Sequence, residues 1–200
     1  SGGFQISMED LKIRGAGEIL GDKQHGTIET FGYDLYIKML NEEIRRQKGE
    51  FVEKIENVEI ILDERGFIPE TYIEKDERLN IYKRFAMLET NEELAELLDE
   101  VIDRFGKIPE QMKKFILSIK LKLFAEKHKI QRILETRNHF ELYFLENAQE
   151  ERAELSEKME MKKVVKIINS TVLTEKNKKE DIADNFVIMK VKKNEFIKNL

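Results

Sequence analysis

From Thr90 onward the hydrophobic positions recur with the period of a helix. Leu94, Leu97, Leu98, Val101, Ile102 and Phe105 fall at i, i+3, i+4, i+7, i+8 and i+11, so they share one face. Thr90 with Glu93 forms a capping box at the start, and Gly106 fits an αL stop at the end. The stretch before it, "DERLNIYKRFAMLE", places Leu79, Tyr82, Phe85 and Ala86 on one helical face. After it, Pro109 opens a third helix at its first turn, with Met112, Phe115, Ile116, Ile119 and Leu123 pointing inward. Three consecutive helices with short connections predict a packed helical layer.

On either side of this layer the period changes to two. "VEIILDERGFIP", Val58 to Pro69, reads as a strand and then a turn, because its β-branched run is interrupted by Gly66 and Pro69. "IQRILETRNHFELYFLE" holds two β-prone runs around Arg137, Asn138 and His139, the pattern of an antiparallel hairpin. A helix from about Glu150 to Ile168 is expected next, then a strand in "NFVIMKVK" and a short terminal helix in "KNEFIKNL". Near the start, a glycine-rich loop leads into "YDLYIKMLNEEIRRQKGE", where Leu35, Met39 and Leu40 have helical spacing and Gly49 can stop the helix. The charged residues that follow mark a boundary, dividing the chain into 1–50 and 51–200. Helices in one group and strands in another predict an α+β fold: about three helices packed with a small, mainly antiparallel sheet, preceded by a helical hairpin and loop segment.

Composition sharpens this picture. At 200 residues there is room for one or two domains with real cores, and 38% charged residues imply heavily solvated helix faces. The absence of cysteine excludes disulfides, thiolate zinc sites and cysteine nucleophiles, and fits a reducing cytoplasm. No apolar run approaches the ~20 residues needed to span a bilayer, so no membrane role is expected. The opening Ser-Gly-Gly suggests a cleavage scar and an excised fragment. The net charge of -5 argues against general attraction to nucleic acid. From Lys158 to Leu200, however, eleven lysines face six acidic residues. A DNA-binding accessory module using this lysine-rich tail is therefore the alternative reading.

Candidate chemistry is sparse. "RGAGEILGDKQHG", Arg14 to Gly26, is neither a Walker loop nor a dinucleotide fingerprint, since Gly15, Gly17 and Gly21 have the wrong spacing. Its glycines suit positive φ angles and close backbone approach, with Arg14 and Gln24 available for local hydrogen bonds. His25, His128 and His139 lie far apart without metal-ligand spacing, and no serine sits in a nucleophile elbow. "DRFGKIP" is better explained by a helix stop and a helix start than by a kinase signature. No catalytic residues, metal site or cofactor site are expected in this chain.

A resemblance adds what spacing cannot. "FQISMEDLKIRGAGEILGDKQHGTIETFGYDLYIKML" resembles the segment after the last helicase motif in the bacterial transcription-repair coupling factor family (Mfd), shared in part with the branch-migration helicase RecG. In those proteins this is the translocation motif, and the matching positions are Arg14, Gly15, Gly17, Gly21, Gln24 and Gly26, led by Asp10 and Leu11. The resemblance implies that Arg14 and Gln24 are polar coupling residues and that the glycines shape the loop. A second match, through Ile68-Pro69, Tyr72-Ile73, Arg78-Leu79, Tyr82-Lys83-Arg84, Glu92-Glu93-Leu94 and Asp103-Arg104-Phe105-Gly106, is similar to the family's C-terminal domain, which RecG lacks. It implies that 1–50 ends a translocase motor lobe and that 51–200 is a regulatory domain. The implied parent is a double-stranded DNA translocase using ATP and magnesium, which displaces stalled RNA polymerase and recruits UvrA. Its C-terminal domain would pack on an N-terminal UvrB-like region and hold the motor inhibited. This chain has neither the Walker loop nor the helicase carboxylates, so alone it is not expected to hydrolyse ATP.

Overall fold

The computed structural model describes residues 58–167, 170–173, 179–182 and 185–200, together with 46, 47 and 49. They contain strand β1 (Glu59–Ile61), helices α1 (Lys75–Ala86), α2 (Asn91–Phe105) and α3 (Glu110–Lys127), and the strands β2 (Ile130–Glu135) and β3 (His139–Leu145). Then come α4 (Gln149–Lys158), β4 (Lys162–Ile167), β5 (Ser170–Leu173), β6 (Lys179–Ile182), β7 (Asn185–Lys192) and α5 (Lys193–Lys198). This is the expected α+β class. Arg46 and Gln47 are helical, and Gly49 takes φ +70° while its N–H donates to the Arg46 carbonyl, as a helix stop requires.

The chain divides into two compact units. One is built on Arg65–Phe115, and the other joins Val58–Glu64 to Ile116–Leu200.

In the first unit, Thr90 caps α2 by accepting the Glu93 N–H at 3.1 Å. The box is not closed on Thr90 itself: the Glu93 carboxylate accepts from the Glu89 N–H, one residue earlier. Gly106 ends α2 at φ +93° and ψ -164°, so the stop is a glycine-only extended conformation and not αL. The expected faces are partly redrawn. On α1, Ile81 and Lys83 are buried beside Tyr82, Phe85 and Ala86, while Leu79 is only half-buried. On α2, Leu94, Leu97 and Val101 go inside, Leu98 and Phe105 are half-buried, and Ile102 is 46% exposed.

In the second unit, five strands form a sheet in the order β1-β2-β3-β7-β4. The β1–β2 pair is parallel and the others are antiparallel, which is the mainly antiparallel sheet that the pattern predicts. Ile133 pairs with Leu142, and Leu142 with Met189, so alternate residues of three strands face the same core. Leu121 and Ala125 of α3, Leu155 of α4 and Phe196 of α5 close that core. The Phe196 ring lies 5.1 Å from both Phe124 and Phe140. The hairpin turn is held at Thr136, whose N–H and hydroxyl both donate to the His139 carbonyl.

The helix expected to reach Ile168 stops at Lys158. Met159 is extended, with φ -149° and ψ 150°, and "KKVVKI" pairs with β7 with Val164 opposite Ile188. Adjacent valines favour a pleated strand, and pairing with β7 supplies backbone partners that override the helical reading. The β5–β6 hairpin, a separate two-stranded sheet, is an element that the hydrophobic pattern leaves unmarked.

Candidate interaction surface

The residues that carry the second resemblance converge on the first unit, and most of them build it. Gly66 brings the chain against the start of α3 so closely that a Cβ there would lie 1.9 Å from the Phe115 nitrogen. The next residue donates its N–H to the Gln111 carbonyl at 3.2 Å. Ile68 follows, fully buried, and its N–H donates to the Tyr82 hydroxyl at 2.7 Å. Burial raises the Tyr82 phenol above its ordinary pKa, opposed by the Ile68 N–H and by Arg78. The Tyr82 and Phe85 rings both meet Phe115 edge-on, at 5.3 and 5.0 Å. Pro69 starts a turn in which its carbonyl accepts from the N–H groups of Tyr72 and Ile73.

A polar lattice covers the outside of α1 and α2. Arg84 pairs with Glu100, and Arg104 donates to Glu77 at 2.5 Å. On α1 the two partners are seven residues apart, and on α2 they are four apart, so both ion pairs tie the helices side by side. Arg104 also lies 4.8 Å from the Phe105 ring centroid, and Tyr72 meets that ring edge-on at 6.0 Å. The Tyr72 hydroxyl donates to the Gly106 carbonyl at 2.6 Å, which gives the end of α2 a partner. Burial raises the Tyr72 pKa, so this donor keeps its proton.

Among the described residues of this unit, two large apolar side chains remain uncovered: Ile102 on α2 and Phe67, 48% exposed, next to Gly66. Arginines held in ion pairs and uncovered apolar groups on one unit are features that suit binding to another protein. No group of three or more metal-ligating side chains is present among the described residues, and no helix there is long and apolar enough to cross a membrane. Arg14, Gly15, Gly17, Gly21, Gln24 and Gly26 lie outside the described residues, as does the glycine-rich loop as a whole.

Sequence reasoning missed Glu77 and Glu100, the carboxylates that anchor Arg84 and Arg104. Their seven- and four-residue offsets from those arginines were the available signal. It also placed Ile102 inside, because periodicity locates a stripe without showing where its cover ends.

Comparison with known proteins identifies what carries this surface. The family model described as "TRCF domain" matches residues 62–155. The transcription-repair-coupling factor of Bacillus subtilis (strain 168) is 40% identical over 152 residues, 74% of this chain and 13% of that protein. The factor of the same name from Borreliella burgdorferi is 36% identical over 143 residues, 71% of this chain and 13% of its own length. The chain thus spans about an eighth of the curated relatives it matches. A solved structure, the crystal structure of the C-terminal domain of transcription-repair coupling factor, aligns with a TM-score of 0.49 at 22% identity, covering 70% of this chain and 85% of that one. By the family match and these relatives, the chain belongs to the transcription-repair-coupling factors, whose TRCF domain it carries at residues 62–155.

Proposed function

We propose that this chain is the C-terminal regulatory part of an ATP-dependent double-stranded DNA translocase that displaces stalled RNA polymerase and couples transcription to excision repair in the cytoplasm. ATP and magnesium serve the motor of the parent and not this chain. The unit built on Arg65–Phe115 docks on the parent's N-terminal UvrB-like region, restrains the motor and masks the surface that recruits UvrA. The observation that supports this reading is Ile102, an apolar residue on the core stripe of α2 that is left 46% exposed on a helix whose Glu100 and Arg104 are tied to α1. Contacts made by such a face in one state of the parent and lost in another bias the equilibrium between the states. In the same reading, 1–50 ends the motor lobe, with Arg14 and Gln24 coupling lobe movement to stepping and Gly15, Gly17, Gly21 and Gly26 shaping the loop.

The test uses the complete parent, measuring DNA-dependent ATPase and UvrA binding with and without 51–200, and with Ile102→Asp alone. A coupling of about 1–3 kcal/mol raises either activity by about 5–150-fold on truncation. Ile102→Asp should give part of that rise. No change in either activity on truncation would sink the proposal.

A further inference from the structure

The second unit carries an open cleft of about 750 Å³ at one end of its sheet, between the β2–β3 turn and the junction of β7 with α5. The register makes it, since His139 at the start of β3 pairs with Lys192 at the end of β7, and the Lys193 N–H donates to the Asn138 carbonyl at 3.1 Å. Cations more than fifty residues apart in sequence, Arg137 and the lysines at 192, 193 and 198, thereby face one space.

These cations are not equivalent. Lys193 is half-buried and bound at 3.2 Å to Glu135, whose side chain is 4% exposed and also accepts the Asp63 N–H, so Lys193 pins the structure. Arg137, Lys192 and Lys198 are exposed and make no ion pair among the described residues. The one carboxylate of the lining, Glu195, accepts the Glu160 N–H at 2.7 Å and is held toward that backbone. Asn138 and Asn194 add neutral donors. Every lining residue is polar or charged, and the His139 imidazole is the one ring among them.

From this chemistry we infer that the cleft seats the phosphodiester backbone of duplex DNA, with Arg137, Lys192 and Lys198 as the phosphate-contacting residues. Free cations with neutral donors match phosphate oxygens. A single half-buried imidazole, His139, is no platform on which successive bases could stack, which disfavours the usual single-strand mode, and the lack of an apolar anchor disfavours a protein partner. Binding of this kind is independent of base sequence and falls steeply with salt. The site gives a defined place to Lys192, Lys193 and Lys198 of the lysine-rich C-terminal region and is independent of the docking proposed for the first unit.

The test titrates the whole chain into a fluorescent duplex of about 20 base pairs and follows anisotropy between about 50 and 200 mM salt. Lys192→Glu/Lys198→Glu should weaken binding at low salt by about tenfold or more and lower the salt slope by about 2, one unit for each lost phosphate contact. The neutral pair Lys192→Gln/Lys198→Gln should lower the slope equally with a smaller loss of affinity, which guards against misfolding of the reversed pair. Lys107→Glu/Lys120→Glu makes the same charge change at exposed positions of α3 and its approach, outside the cleft, and should leave binding within about twofold. Three results would overturn the inference: no salt-dependent binding by the unaltered chain, equal losses in the two Glu pairs, or displacement of DNA by polyglutamate at equal charge concentration. The last would make the cleft a seat for acidic protein.

Discussion

Gly66→Ala isolates a steric constraint with little else attached. The new Cβ would stand 1.9 Å from the Phe115 nitrogen and 2.5 Å from both the Lys114 carbonyl carbon and the Phe115 Cα. All three are backbone atoms of α3, so no rotamer change relieves the clash. Either the chain at Gly66 retreats or the helix moves, and either change disturbs the Phe67 N–H bond to Gln111 and the nearby Ile68 bond to Tyr82. Overpacking of this kind costs about 1–3 kcal/mol, and a lost backbone hydrogen bond adds about 1. A total of roughly 2–4 kcal/mol corresponds to a fall in Tm of roughly 5–15 °C for a chain of this size. Scanning calorimetry is the suitable assay, because the chain has no tryptophan to report unfolding. Gly66→Ser should do the same, since the first added carbon already makes the clash. Gly106→Ala is the contrast: nothing lies within 4 Å of its Cβ, but φ of +93° is poorly tolerated, so its cost of about 1–3 kcal/mol is torsional. A Gly66→Ala chain melting within about 2 °C of the parent sequence would refute the close crossing of Gly66 over α3.

Two further perturbations read the electrostatics. His128 is 7% exposed against the Phe124 ring, and its pKa is lowered from 6.5 first by burial and then by Lys127 and Lys158, with Glu154 opposing. Because the unfolded chain takes up this proton first, the contribution of His128 to stability is complete above pH 6.5 and is lost as pH falls below it through the lower folded pKa. Denaturant unfolding from pH 8 to 5 should therefore show a shallower acid limb in His128→Phe, and parallel curves would contradict this. Glu100→Gln removes one carboxylate shared by Arg84 and Arg104 on a surface about 40% exposed. Screening limits the loss to roughly 1 kcal/mol or less, so a urea midpoint shifted by much more would mean that the lattice carries the helix pair.

How much of this was legible in the chain depends on the range of the interaction. Local signals were sufficient for Thr90 as a cap, Pro109 before α3 and the hairpin around Asn138, each set by neighbours a few residues away. They failed where a distant partner decides. Val164 and Val165 could serve a helix or a strand until β7 offers its edge, and Ile102 looks like core until the boundary of the unit is known. The basic cleft was visible only as an excess of lysine. Its position follows from the register of His139 opposite Lys192, which no window of sequence contains. The burial of Ile81 and Lys83 shows the same limit, because α1 is enclosed on more than one face.

The parallel pairing of β1 with β2 sets a schedule for the nascent chain. Glu59, Ile60 and Ile61 meet Arg132, Ile133 and Leu134, so β1 leaves the ribosome about seventy residues ahead of its partner. At about 5–20 residues per second the delay is roughly 4–14 s, long enough for helices to form many times over. Arg65–Phe115, which lies wholly between the two strands, is fully synthesised while β1 still waits. A strand left open for seconds is an invitation to mispair with another chain. β1 limits that hazard by being three residues long and by carrying Glu59, whose charge is neutralised only when Arg132 arrives, 2.9 Å away. The native ion pair is thus a lock whose key is made about seventy residues after it.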